Sequence, residues 1–223
     1  MLIILSFLSS LLPIISFLVF SAGKAKRDFW VIFLYCVISV AFDILVSLPK
    51  WGTEYRNFIW NIYTIVQYIL LVYFFYLIIK KRKVRIAILA LSVFYFLIFF
   101  YYSKSDIEEF NTLMSTIESV ILLFLSLYYL LNSLRFTEES HNIFTPHFFI
   151  IMGVLLYVAS TFFLFIIANQ LSANEMTKYW SINHYSNILT NLVFSFAFYL
   201  FRYQKKSAPA ENNYVDFTYP DKR

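Results

Sequence analysis

The residues able to do chemistry in this chain are polar side chains set into long apolar runs. Asn61, Thr64, Gln67 and Tyr68 share one run, Thr112, Ser115, Glu118 and Ser119 a second, and His184, Asn187, Thr190 and Asn191 a third. Each set is spaced i, i+3, i+6, i+7, which keeps it on one stripe of an α-helix. Ser6, Ser9 and Ser10 form a weaker stripe near the N-terminus. Polar groups inside a bilayer are costly, and they face the bundle interior or a water-filled cavity. A carboxyl at depth, such as Glu118, must be neutral, paired or wet. Asp43, Asn61, Gln67, Glu118, His184, Asn187 and Asn191 are therefore candidate ligand-binding residues. The competing role for the same stripes is interhelical hydrogen bonding that holds a bundle together.

The composition dictates the medium. Of 223 residues, 61% are hydrophobic, 22% aromatic and 14% charged, and the mean hydropathy is +0.69. Soluble domains run at about 45–50% apolar and about 25% charged, so a soluble enzyme is excluded. A bilayer core needs roughly 20 apolar residues per helix. Seven runs meet this: 2–22, 29–48, 58–79, 86–103, 110–133, 147–170 and 180–201. The expected fold is all-α, a polytopic seven-transmembrane-helix bundle over residues 1–203, with a polar, aperiodic and disordered cytoplasmic tail over 204–223.

Lys and Arg set the orientation. Lys24, Lys26, Arg27, the cluster Lys80, Lys81, Arg82, Lys83 and Arg85, then Arg135, Arg202, Lys205, Lys206, Lys222 and Arg223 fall on one side. Lys50, Arg56, Lys104 and Lys178 fall on the other. The rich side reads as cytoplasmic, with the N-terminus outside and the C-terminus inside. The first run has its positive charges after it rather than before it, so a retained helix is expected rather than a signal peptide. The net charge of +5 then concerns topology and anionic lipid, with no nucleic-acid partner.

With this orientation all three strong stripes lie in outer halves. Asp43 and the pair Asn169 and Gln170 also fall near outer ends, and Glu118 sits roughly 12 Å below the outer surface at 1.5 Å per residue. The inner halves, 69–79, 120–130 and 192–201, hold aliphatic and aromatic residues with an occasional Ser and no charge. The asymmetry suggests an outward-facing polar pocket closed by a dry inner plug. Glu118 and His184 both lie in outer halves, which permits a carboxyl–imidazole pair.

Several classes are excluded by missing residues. A retinal protein needs a Schiff-base lysine in the last helix, and 180–201 has none. A zinc site needs about three converging ligands, whereas His141 and His147 fall on the cytoplasmic side, as interfacial polar residues, and His184 near the outer face. Cys36 alone builds neither a disulfide framework nor a metal site. No metal or cofactor is expected. Only three glycines are present, and only Gly153 is well inside a helix, so a Gly-rich serine protease framework is absent. The scarcity of Gly and Pro also weighs against the broken helices common in transporters.

The last run reads Trp180, Ser181, Ile182 and Asn183, then Asn187, Ile188, Leu189 and Asn191, then Ala197, Phe198 and Tyr199, with a basic exit at Arg202, Lys205 and Lys206. This resembles small standalone seven-helix membrane proteins of Bacteroidota-type bacteria, which are similar to the seven-helix sensor regions of bacterial histidine kinases. The resemblance implies an inner-membrane, non-enzymatic protein that receives an envelope signal and passes it to a cytoplasmic kinase. The chain departs from the sensor kinases in carrying no output domain, so its tail would recruit one. Lys80, Lys81, Arg82, Lys83, Tyr214 and Phe217 are candidate contacts for a cytoplasmic signalling partner, and a small polar ligand would enter from outside. Two alternatives stay open: a small-solute or ion transporter, and a structural subunit of an envelope membrane complex.

Overall fold

A computed structural model of the chain describes residues 2–47, 53–102, 112–135, 144–167 and 173–207. It is all-helical: α1 (Leu2–Ser16), α2 (Arg27–Ser47), α3 (Thr53–Ile78), α4 (Arg82–Tyr102), α5 (Thr112–Arg135), α6 (Pro146–Ile167) and α7 (Ala173–Ser207). A π-helical turn, Phe17–Ser21, continues α1. Where lipid replaces water, a helix satisfies its backbone groups within one segment, which is why such apolar runs form helices. Local chemistry fixes some of the ends. Thr145 accepts a hydrogen bond from the Phe148 N–H at 3.2 Å, an N-cap, and Pro146 follows at the first helical position, where its missing N–H costs nothing.

Six helical segments of the described chain, spanning α1 to α6, are long and apolar enough to cross a membrane, which makes this a multi-pass membrane protein. α7 is not among them because its first half carries Asn183, His184, Asn187 and Asn191. It also runs on to Ser207, beyond the boundary at 203 expected for the bundle. The rest of the tail, with Tyr214 and Phe217, lies outside the described residues, as do His141, Asn169 and Gln170.

The helices pack in a ring. α1 packs on α2, α2 on α3, α3 on α5, α5 on α6, α6 on α7, and α7 back on α1. α4 leans on α3 and α5 from outside, burying Ile88 and Tyr95 while Leu89, Val93, Phe94, Leu97 and Phe100 stay exposed, as lipid contact requires. Gly153 permits the close approach of α6 and α7: a Cβ there would stand 2.7 Å from the Phe194 ring. Thr190 uses that proximity, donating to the Gly153 carbonyl at 3.2 Å.

One end of the ring is filled by aromatics. Phe17 meets Phe198 at 5.1 Å between centroids, and Phe29 meets Phe201 at 4.4 Å. Three arginines cover rings at this same end: Arg27 over Tyr73, Arg85 over Tyr76 and Arg202 over Phe20. Arg85 also donates to the Ile79 carbonyl at 2.6 Å, closing the tight turn between α3 and α4, while Lys80, Lys81, Arg82 and Lys83 are exposed.

A carboxyl–imidazole pair is embedded in this plug. Asp28, buried in the first turn of α2, pairs with His147 in the first turn of α6. The His147 ring lies 4.8 Å from Phe29 and 6.5 Å from Phe74. The pair adds a partner to the expectation for His147, which reads from sequence only as an interfacial polar residue; the stretches 69–79, 120–130 and 192–201 hold no charge. The partners are 119 residues apart, so no local pattern in either helix announced them.

Removing one member of a buried ion pair strands the other, at a cost of about 3–5 kcal/mol, while replacing both by apolar residues is often neutral. Asp28→Ala is expected to lose stability of that order in micelles, and the double variant Asp28→Leu/His147→Leu to recover most of it. Thermal unfolding of the two variants beside the parent protein checks this, and an additive loss in the double variant would refute the pairing.

Candidate functional site

The opposite end of the ring, where α3, α5 and α7 begin and α6 ends, holds a cavity of about 230 Å³. α3 lines it with Asn57, Trp60, Tyr63, Thr64 and Gln67, and α5 with Ser115, Glu118 and Ser119. α6 adds Tyr157, Thr161 and Leu164, and α7 adds Trp180 and Asn183. The α3 and α5 residues come from the polar stripes, since residues three and four apart share a helix face.

Glu118 is 3% exposed. Its Oε1 has no hydrogen-bond partner, and neither has the hydroxyl of Ser115 one turn away. Gln67 of α3, Glu118 of α5 and Tyr157 of α6 bring polar groups from three helices to this one cavity. Most other hydroxyls in the bundle are satisfied within their own helices. Ser9 donates to Ser6 O, Ser10 to Phe7 O, Thr64 to Trp60 O and Ser126 to Leu122 O, the back-bonding that short hydroxylated side chains make in helices. The orphaned pair on α5 therefore departs from the way this bundle treats its polar groups.

A second, smaller cavity of about 20 Å³ lies between α1, α2 and α7, lined by Ser6, Ser10, Tyr35, Cys36, Ser39, Asp43, Asn187, Thr190 and Asn191. Its volume is about that of one water site. Tyr63 connects the two cavities, because it lines the first and donates to Ser39 of the second at 3.1 Å.

The structure thus divides the candidate set. Gln67 and Glu118 share the large cavity. Asp43, Asn187 and Asn191 share the small one, where Asn191 also donates to Ser9 at 3.0 Å and ties α7 to α1. Asn61 and His184, both half-buried, line neither cavity. Among the described residues no ion pair joins Glu118 to His184. No group of three or more His, Cys, Asp and Glu residues that could hold a metal ion occurs among them either.

Of the aromatic walls, Trp60, Tyr63 and Tyr157 were not among the residues singled out from sequence, and Trp180 was named only in the stretch that carries the family resemblance. A signal for part of this existed: Tyr157, Thr161 and Leu164 sit at i, i+4, i+7 on α6, one face of a helix that is otherwise almost wholly apolar. Trp60, Tyr63, Thr64 and Gln67 repeat that logic on α3. Aromatic residues were too numerous in this chain for those four to stand out.

The chain matches no family model, no curated protein and no solved structure.

An unsatisfied buried polar group costs about 1–3 kcal/mol, more if charged. Glu118→Met, which fills similar volume without polar atoms, is expected to raise stability by about that amount. Thermal unfolding in micelles measures it. A clear loss of stability would instead make Glu118 a strut of the bundle.

Proposed function

We propose that this chain is a bacterial inner-membrane receptor-like protein, with seven spans, its N-terminus outside and its C-terminus inside. A small ligand from the envelope side binds in the large cavity, and the change passes to a cytoplasmic partner through the exposed turn at Lys80, Lys81, Arg82 and Lys83 and through the tail. The observation that carries this reading is the unpartnered carboxyl oxygen of Glu118 in a cavity at one end of a bundle whose other end is packed shut. Well-formed cavities with a few converging polar groups are the usual form of ligand sites. The gathering of Arg27, Arg85 and Arg202 over aromatic rings at the packed end supports its facing the cytoplasm. The seven-helix sensor regions of bacterial histidine kinases remain the architecture this proposal follows.

The transporter reading gains one feature, the Asp28–His147 pair near the packed end. It must still carry a solute past Ile150, Ile151 and Val154, each at most 1% exposed, over the roughly 15 Å of α6 between His147 and Tyr157. A dry path of that length favours reception over conduction.

Purification of the tagged protein from native membranes in mild detergent, followed by mass spectrometry, tests the proposal. A kinase or response regulator is expected to accompany the full chain and to be lost when residues 208–223 are removed. Glu118→Gln is expected to alter signalling without lowering expression. A stoichiometric envelope assembly in place of a regulator would favour a structural subunit, and a protein recovered alone would turn attention to flux in liposomes.

A further inference from the structure

The large cavity has a definite chemical preference, which deepens the receptor reading and rests on it. Among the described residues lining it, one is an acid, Glu118, and none is Lys, Arg or His. Glu118 Oε1 and Ser115 Oγ, one helical turn apart on α5, are both buried and both without a partner. An anion finds nothing there to neutralise it and meets a carboxyl. A protonated amine meets the reverse: its charge is balanced by the carboxylate, and an ammonium group has N–H donors enough for both orphaned oxygens at once.

The walls fit the same guest. Trp60, Tyr63, Tyr157 and Trp180 line the cavity. Aromatic faces attract cations and also accommodate an apolar body. At about 230 Å³ the cavity lies just below the usual size range of drug-sized ligand sites, so the guest is small. The geometry points to a small primary ammonium ligand carrying an apolar or aromatic body, with its nitrogen between Glu118 and Ser115 and its body among the tryptophans and tyrosines.

Three alternatives weigh less. A metal ion would leave the aromatic walls without a purpose, since hard cations take oxygen ligands. A neutral alcohol could donate to Glu118 and accept from the Ser115 hydroxyl, but it brings no positive charge to the carboxyl and gains no cation–π attraction from the aromatic walls. Filling by water alone would satisfy the polar atoms but would not use the aromatic walls.

Isothermal titration of the full chain in lipid nanodiscs tests the inference, with phenethylamine as the probe. 2-Phenylethanol is its neutral match, phenylacetate the anionic one, and phenethyltrimethylammonium the charged match without N–H donors. Phenethylamine is expected to bind about 10–100-fold more tightly than 2-phenylethanol, the range set by one charge-assisted hydrogen bond. Phenylacetate is expected not to bind, and the trimethylated cation to bind more weakly than the amine. Glu118→Gln is expected to bring amine and alcohol close to parity, and Glu118→Asp to retain the preference for the amine.

Equal binding of amine and alcohol by the parent protein overturns the inference while leaving a receptor for a neutral ligand standing. No binding of phenethylamine overturns it as well. Equal binding of the trimethylated cation overturns the role given to Ser115. Selective amine binding that leaves the co-purifying cytoplasmic partner unchanged supports the amine site and counts against the receptor reading. If Glu118→Gln fails to fold, the four-ligand comparison on the parent protein still decides.

Discussion

Inside a bilayer no water is available to repair an unmet hydrogen bond, and this bundle is organised by that constraint. Backbone groups are met within helices. Serine and threonine hydroxyls turn back onto their own helices, as at Ser10, Thr64, Ser126 and Thr161. Asn191 and Thr190 find partners across helix seams, and Asp28 finds His147. Against this background three buried side-chain atoms among the described residues stand without a partner: the Tyr95 hydroxyl, at the seam with α4, and Ser115 Oγ and Glu118 Oε1, whose residues line the large cavity. Two orphans converging on one space are more informative than either alone, because a single guest can satisfy both.

The two ends of the bundle answer the constraint differently. The cavity end concentrates polar and amphipathic side chains from four helices. The other end substitutes aromatic stacking for hydrogen bonding, with Phe17, Phe29, Phe74 and Phe198 fully buried, and admits one carboxyl–imidazole pair whose members satisfy each other. Binding free energy gained at the cavity reaches the far end only through rigid helices, and α7 is one of the elements that touch both, from Trp180 at the cavity to Phe198 and Phe201 in the plug. The π-helical turn at Phe17–Ser21 belongs to the same end. Its Ser21 donates to the Phe198 carbonyl at 3.0 Å, which joins the end of α1 to the C-terminal half of α7. Such turns are often found at functional positions in helices.

The amino-acid sequence by itself determined the medium and the seven helices, because apolar run length depends only on the order of residues, while α3 and α7 begin before the apolar runs 58–79 and 180–201. It also determined that Gln67 and Glu118 lie on inward stripes, since helical periodicity is a local property. Which stripe meets which was decided by the tertiary structure. The ring order put α3, α5, α6 and α7 around one cavity and α1, α2 and α7 around another. That parted Asp43, Asn187 and Asn191 from Glu118 and left Asn61 and His184 outside both linings. The Asp28–His147 pair, and the meeting of the aromatic walls around one cavity, likewise emerged only from packing. A pairing across 119 residues depends on helix neighbours and rotation, and these follow from the summed fit of many side chains rather than from any one segment's pattern.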